Sequence, residues 1–198
     1  MYRSTITKEE IAELPLAVYE GEVVVVEREE ELEDALRPLL KSEVIGFDTE
    51  TRPAFKKGVL YPISLLQLAS ENYVVQIRLN KVHFSDIIKN LLETPNIIKV
   101  GVGIHDDLQG LKRLSKFTPR SFVDLQSIVS KYGIADKSFA KLMAIVFGVH
   151  ISKRQRITNW AADELTPAQI AYAATDAWGA VRLYNKLIQA NDCCRIER

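Results

Sequence analysis

Val44-Ile45-Gly46-Phe47-Asp48-Thr49-Glu50 decides the fold: an apolar run that reads as a buried strand passes straight into two carboxylates two residues apart. Residues two apart in a strand share a face, so Asp48 and Glu50 can converge on one point. A solvated acidic turn at the strand's end is the plainer alternative. Ahead of this stretch, Val23 to Val26 reads as a strand and Glu29 to Leu40 as an amphipathic helix. Behind it, Ser64 to Ala69 and Tyr73 to Ile77 read as a hairpin across Ser70-Glu71-Asn72. A helix from Ser85 to Leu92, capped by Ser85, precedes a strand at Ile97 to Val100. The remainder predicts a helix from His105 to Lys116, a short strand at Ser121 to Val123, and helices at Leu125 to Tyr132 and Ser138 to Phe147. Thr166-Pro167-Ala168-Gln169 combines an N-cap, a first-turn proline and a capping-box glutamine, opening a last helix that runs to about Ala190. The class is α/β, strands first and helices last.

Composition narrows the function. The chain has 198 residues, and 26 Lys and Arg balance 26 Asp and Glu, so no bulk charge holds it on a polyanion; only a local basic track can. With 47% hydrophobic residues, no repeat and no linker, one domain over residues 1–198 is the economical reading. A capping box at Thr7-Lys8-Glu9-Glu10 marks a helical extension over residues 1–20, with the helix stopping before Pro15, and residues 191–198 read as a polar tail. Ile11, Leu14 and Leu16 of the extension can dock on the domain or on a second copy. No stretch has the apolar length of a membrane span or a signal-peptide core, so a soluble, cytoplasmic protein without a membrane partner is expected. The two cysteines, Cys193 and Cys194, are adjacent and suit neither a disulfide framework nor a zinc site.

Two further segments carry chemistry. Gly101-Val102-Gly103-Ile104-His105-Asp106-Asp107 follows a strand, but the third glycine of a dinucleotide fingerprint would fall at Asp106, where a carboxylate opposes pyrophosphate. Asp107 can instead serve a cation, or the two aspartates can simply suit a helix N-terminus. In Tyr172-Ala173-Ala174-Thr175-Asp176, phenol and carboxylate four apart share one helical face, and small neighbours at Ala171, Ala173, Ala174 and Ala177 allow close packing on a sheet. An aspartate buried in such a helix demands a partner or a metal. Asp48, Glu50, Asp107 and Asp176, with no His or Cys set, suit hard divalent cations, Mg²⁺ or Mn²⁺. Two such ions about 4 Å apart serve phosphodiester hydrolysis, with Tyr172 orienting the attacking water.

These residues resemble the DEDD 3′–5′ exonucleases, in the subgroup with a tyrosine in the third motif, a family that includes ribonuclease D and the Werner-syndrome protein's exonuclease domain. Phe47 to Glu50 resembles the first motif, Val100 to Asp107 the second and Tyr172 to Ala177 the third, in the family's order over Val44 to Tyr184. The resemblance implies a ribonuclease H-like fold: a mixed sheet of five strands, or slightly more, flanked by helices. It implies that Asp48, Glu50 and Asp176 hold one ion, that Asp48 also bridges to a second and that Asp107 supports the second through water. Tyr172 then positions the nucleophile.

The expected partner is nucleic acid with a free 3′ end, single-stranded or frayed, cut to nucleoside 5′-monophosphates. DNA is slightly favoured over RNA. Thr49, Arg52, Phe55, Lys57, Arg154, Arg156, Asn159 and Trp160 are the expected contacts, with the terminal nucleotide splayed near Thr49 to Phe55. Trp160 is read equally as core packing or base stacking. The rivals are an RNA 3′-end processing enzyme and a non-catalytic binding module, which the intact carboxylates disfavour. Oligomeric state and any helicase or polymerase partner are left open by the residues.

Overall fold

The sheet is built outward from β2 (Val44–Thr51). On one side it pairs antiparallel with β3 (Ile63–Ala69), which pairs antiparallel with β4 (Tyr73–Arg78), and β1 (Glu22–Val26) closes that edge parallel to β4. On the other side β5 (Ile98–Gly101) and then β6 (Phe122–Asp124) add in parallel, giving the order β1-β4-β3-β2-β5-β6. This is the ribonuclease H-like mixed α/β architecture, with six strands where five or slightly more were expected. The computed structural model describes residues 2–56 and 58–196, with side chains described up to residue 190. Cys193 and Cys194 lie outside those described side chains.

The helices are α1 (Lys8–Ala12), α2 (Leu32–Leu36), α3 (Asp86–Glu93), α4 (His105–Leu114), α5 (Leu125–Ile128), α6 (Phe139–Phe147) and α7 (Pro167–Ile196). Ile45 and Phe47 of β2 point into a core shared with α2, α3 and Leu111 of α4. The opposite side of the sheet is covered by α6 and α7 through Leu142, Met143, Val181 and Leu187. Strand alternation therefore places Gly46, Asp48 and Glu50 beneath α7, and Thr49 on the α4 side.

Two expectations change, and one alternative falls. The segment from Glu29 to Leu40 is not one helix: α2 is a short piece between two 3₁₀ turns, because Pro38 has no amide to continue the ladder. The helix after the second motif stops at Leu114, before Lys116. Asp48 to Glu50 lie inside β2 and not in a turn after it, since pairing with β3 carries the ladder on to Thr51 past a register shift.

Both capping boxes form. Thr7 Oγ1 accepts from the Glu10 amide, and Gln169 Oε1 accepts from the Thr166 amide at 3.0 Å. In the N-terminal extension α1 buries nothing, and the segment after it docks on the domain. The Ala17 amide donates to the His150 carbonyl at 2.9 Å, and the Tyr19 amide donates to Thr175 Oγ1 at 3.0 Å.

Candidate active site

A side chain on Gly46 would meet the Ala177 carbonyl at 1.8 Å, so α7 crosses β2 with almost no separation there. That contact lies two residues before Asp48 and one after Asp176. The small pair Gly46 and Ala177 thus sets how far Asp176 reaches, and carboxylate oxygens of Asp48, Glu50 and Asp176 lie within 4.8 Å of one another.

Three carboxylates so close cannot all ionise freely. Burial, then the charges of Asp176, Glu50 and Asp107, push Asp48 well above the usual carboxylate range. Burial and the charges of Asp176 and Asp107 carry Glu50 to about 9, against a smaller opposing pull from the Arg156 guanidinium. Burial raises Asp176 to about 7, partly offset by a hydrogen bond from Tyr172. The Tyr172 phenol is itself pushed up by burial and by the carboxylates, so it stays protonated at any physiological pH. One Asp176 oxygen, Oδ1, is buried without a partner. An all-oxygen donor set that retains protons for want of positive charge, with an orphaned oxygen among them, fits a hard divalent cation.

Asp107 stands apart from this triad. Its carboxylate accepts a hydrogen bond from the Thr49 hydroxyl on the α4 side of β2, and burial raises its pKa. Three of the four expected ligands are brought together directly, and the fourth is tied to the strand between the first two. Thr49 lines the cleft, but its hydroxyl is taken by Asp107.

The cleft over the triad has a volume of about 260 Å³, with Arg156 at its rim and Phe139, Val102 and Ala180 among its apolar walls. Arg52, Phe55 and Asn159 line a neighbouring hollow. Arg154 lines a separate hollow beside Ala17 and Val18, which meets the carboxylate cleft at Tyr172. Lys57 lies outside the described residues. Trp160 is corrected outright as a nucleic-acid contact: it is 0% exposed and packs on Leu65 and on Tyr172, ring centroids 6.0 Å apart. The segment bearing it is anchored by buried Arg78, which donates to the Ala162 carbonyl and pairs with Glu27 at 2.9 Å.

Sequence reasoning missed Gly46, Phe139 and Gln67. Glycine inside a strand two residues before an aspartate was the available signal for the first. The other two carry none, because only sheet register and helix packing bring them here.

Known proteins resemble this chain in sequence and in fold. Residues 23–190 match the family model described as 3′–5′ exonuclease, and the chain belongs to that family. Mouse bifunctional 3′–5′ exonuclease/ATP-dependent helicase WRN is 34% identical over 171 residues, covering 83% of this chain and 12% of that protein. Ribonuclease D of Gluconacetobacter diazotrophicus is 28% identical, covering 88% of this chain and 43% of that one. The chain therefore spans less than half the length of either relative. Among solved structures, Trypanosoma brucei RNase D in complex with RNA U12 superposes with a TM-score of 0.74 at 21% identity, covering 85% of this chain and 63% of that one.

Proposed function

We propose that this chain is a metal-dependent 3′–5′ exonuclease that hydrolyses phosphodiester bonds from the 3′ end of nucleic acid and releases nucleoside 5′-monophosphates. The observation that carries this reading is the convergence of Asp48, Glu50 and Asp176 oxygens within 4.8 Å, with Tyr172 one helical turn from Asp176. Asp48, Glu50 and Asp176 would hold one divalent cation, with Asp107 supporting a second, Mg²⁺ or Mn²⁺ in each case. Bound there, such ions supply an activated water and charge stabilisation for the attacking and leaving oxygens.

The chain's own residues do the rest. The protonated Tyr172 hydroxyl cannot act as a base, so it orients the nucleophilic water through a hydrogen bond. Arg156 at the cleft rim meets a substrate phosphate with positive charge. Phe139 and Val102 give the terminal nucleotide an apolar wall that limits water access.

DNA is the polymer favoured in this reading. RNA is the second reading, supported by the likeness to ribonuclease D and its complex with RNA U12. The test is a 5′-labelled single-stranded DNA, with RNA of the same sequence beside it, incubated with Mn²⁺, Mg²⁺ or chelator. A ladder shortening from the 3′ end, abolished by chelator and by Asp48→Ala, is expected, and the polymer cut faster names the substrate. No ladder with either polymer in either metal overturns the reading.

A further inference from the structure

We infer that the described residues of the loop joining β2 to β3, 52–56 and 58–62, form with Ile157 opposite them a stacking groove for unpaired nucleobases upstream of the scissile bond; this rests on the exonuclease reading. Phe55 is 86% exposed, Leu60 76% and Ile157 66%, although a single exposed apolar residue is ordinary and three such side chains on two adjoining segments are not. Phe55 and Ile157 line one hollow of about 550 Å³. Arg52 lies over the Tyr61 ring at 5.0 Å on its wall, Lys56 and Asn159 supply a further cation and an amide, and no acidic residue lines it among the described residues.

Apolar and aromatic faces interleaved with cations are the surface that binds an unpaired strand, since every base has a π-face and every nucleotide a phosphate. A paired strand hides its base faces and offers this surface little beyond phosphates. Continuity names the occupant. The carboxylate cleft shares Thr49 and Glu50 with a hollow beside α4, and that hollow shares Arg52, Pro53, Val59 and Tyr61 with the groove. The groove thus adjoins the cleft along the loop after β2, and Ile157 on its far side follows Arg156 of the cleft, so a strand whose 3′ end sits over the carboxylates lies next to it.

The test reads binding in chelator, independently of hydrolysis, so its outcome is separable from that of the ladder assay. Fluorescence anisotropy compares a 12-nucleotide single strand with a blunt duplex of the same sequence. The wild type should prefer the single strand, and Phe55→Ser with Ile157→Ser should weaken single-strand binding about tenfold while barely changing the duplex. Leu40→Ser removes a 57% exposed leucine elsewhere and should change neither. Equal wild-type affinity for both forms, or an unchanged preference in the double variant, overturns the groove and leaves the patch to a protein partner.

A separate observation carries a second inference: we propose that Gln67 is a positioning residue for Asp48. Gln67 lies directly opposite Asp48 in the antiparallel register, and opposite Gln76 on its other side. It is 0% exposed, and both ends of its amide lack a partner. Directly opposed side chains start about 5 Å apart at Cβ, within reach of an amide-to-carboxylate hydrogen bond. Trp160 Nε1 is likewise buried and unpartnered, above Leu65 on the same face of β3. A turn of the Gln67 amide that lets Trp160 Nε1 donate to its Oε1, and its Nε2 donate to Asp48, would satisfy both donors and hold the Asp48 carboxylate in line.

Gln67→Met keeps the shape and removes the donor. Affinity for Mn²⁺ alone, by titration calorimetry, should fall about tenfold or more, while the thermal midpoint holds or rises. Unchanged Mn²⁺ affinity overturns the assignment, as does a loss matched by a fall in thermal midpoint, which would mark a structural role. No Mn²⁺ binding by the wild type removes the metal reading itself, and this inference with it.

Discussion

Tyr172 and Trp160 are neighbours in space with opposite assignments. The phenol is held protonated by burial and by Asp176 and Glu50, which leaves orientation of water as its chemistry. Tyr172→Phe should lower kcat by about 10²-fold while leaving KM and Mn²⁺ affinity near the wild type, as steady-state kinetics and calorimetry will show. Trp160 supports that phenol from beneath the surface. Trp160→Ala should cost about 3–5 kcal/mol in urea unfolding, the range for deleting a buried aromatic side chain. A stacking role would instead weaken nucleic-acid binding at unchanged stability. Composition could not separate the two, because an indole among cations, an amide and small residues suits either. Burial decided it.

At the level of elements, the site depends on the crossing of α7 over β2. Gly46→Ala places a methyl against the Ala177 backbone carbonyl, which is no flexible side chain and cannot step aside. The expected result is a loss of about 1–3 kcal/mol in urea unfolding, with weaker Mn²⁺ binding because Asp176 is lifted from Asp48 and Glu50. Equal stability and unchanged metal affinity would show that the crossing has slack. The start of α7 was legible because a capping box is a local device, and Thr166 and Gln169 need only each other. The true length of β2 was not. Asp48-Thr49-Glu50 has poor intrinsic strand preference, and only the ladder supplied by β3 extends it.

For the whole molecule, the clustered carboxylates link stability to pH. Glu50, at about 9, and Asp176, at about 7, hold protons that the same groups release near pH 4 in the unfolded chain. Between those limits the metal-free folded state binds more protons than the unfolded one, so this contribution is fully present at low pH and is lost as pH rises toward about 9. A divalent cation should replace those protons. The rise in thermal midpoint produced by Mn²⁺ should accordingly be larger near pH 8.5 than near pH 5.5, measured by differential scanning fluorimetry. A pH-independent shift would mean that these carboxylates are not the ligands. Equal numbers of acidic and basic side chains do not oppose a polyanionic substrate, because a loaded site adds local positive charge where the strand must end.

By itself the sequence determined the α/β class, the order of the three motifs and the identity of the five residues expected to do the chemistry. The pairs Asp48 with Glu50 and Tyr172 with Asp176 rest on local spacing, two apart in a strand and four apart in a helix, which is present in the chain before it folds; the motif order and the place of Asp107 rest on the resemblance to the DEDD exonucleases. Only the tertiary structure decided that Asp48, Glu50 and Asp176 meet while Asp107 is held by Thr49, that Arg154 lines a separate hollow, that Trp160 is core, and that Gln67 lies opposite Asp48. Each of these depends on a partner far off in the chain, on strand register or on the depth at which one helix settles on a sheet. Such contacts are set by packing against backbone, as where Gly46 admits Ala177, and no local pattern encodes them.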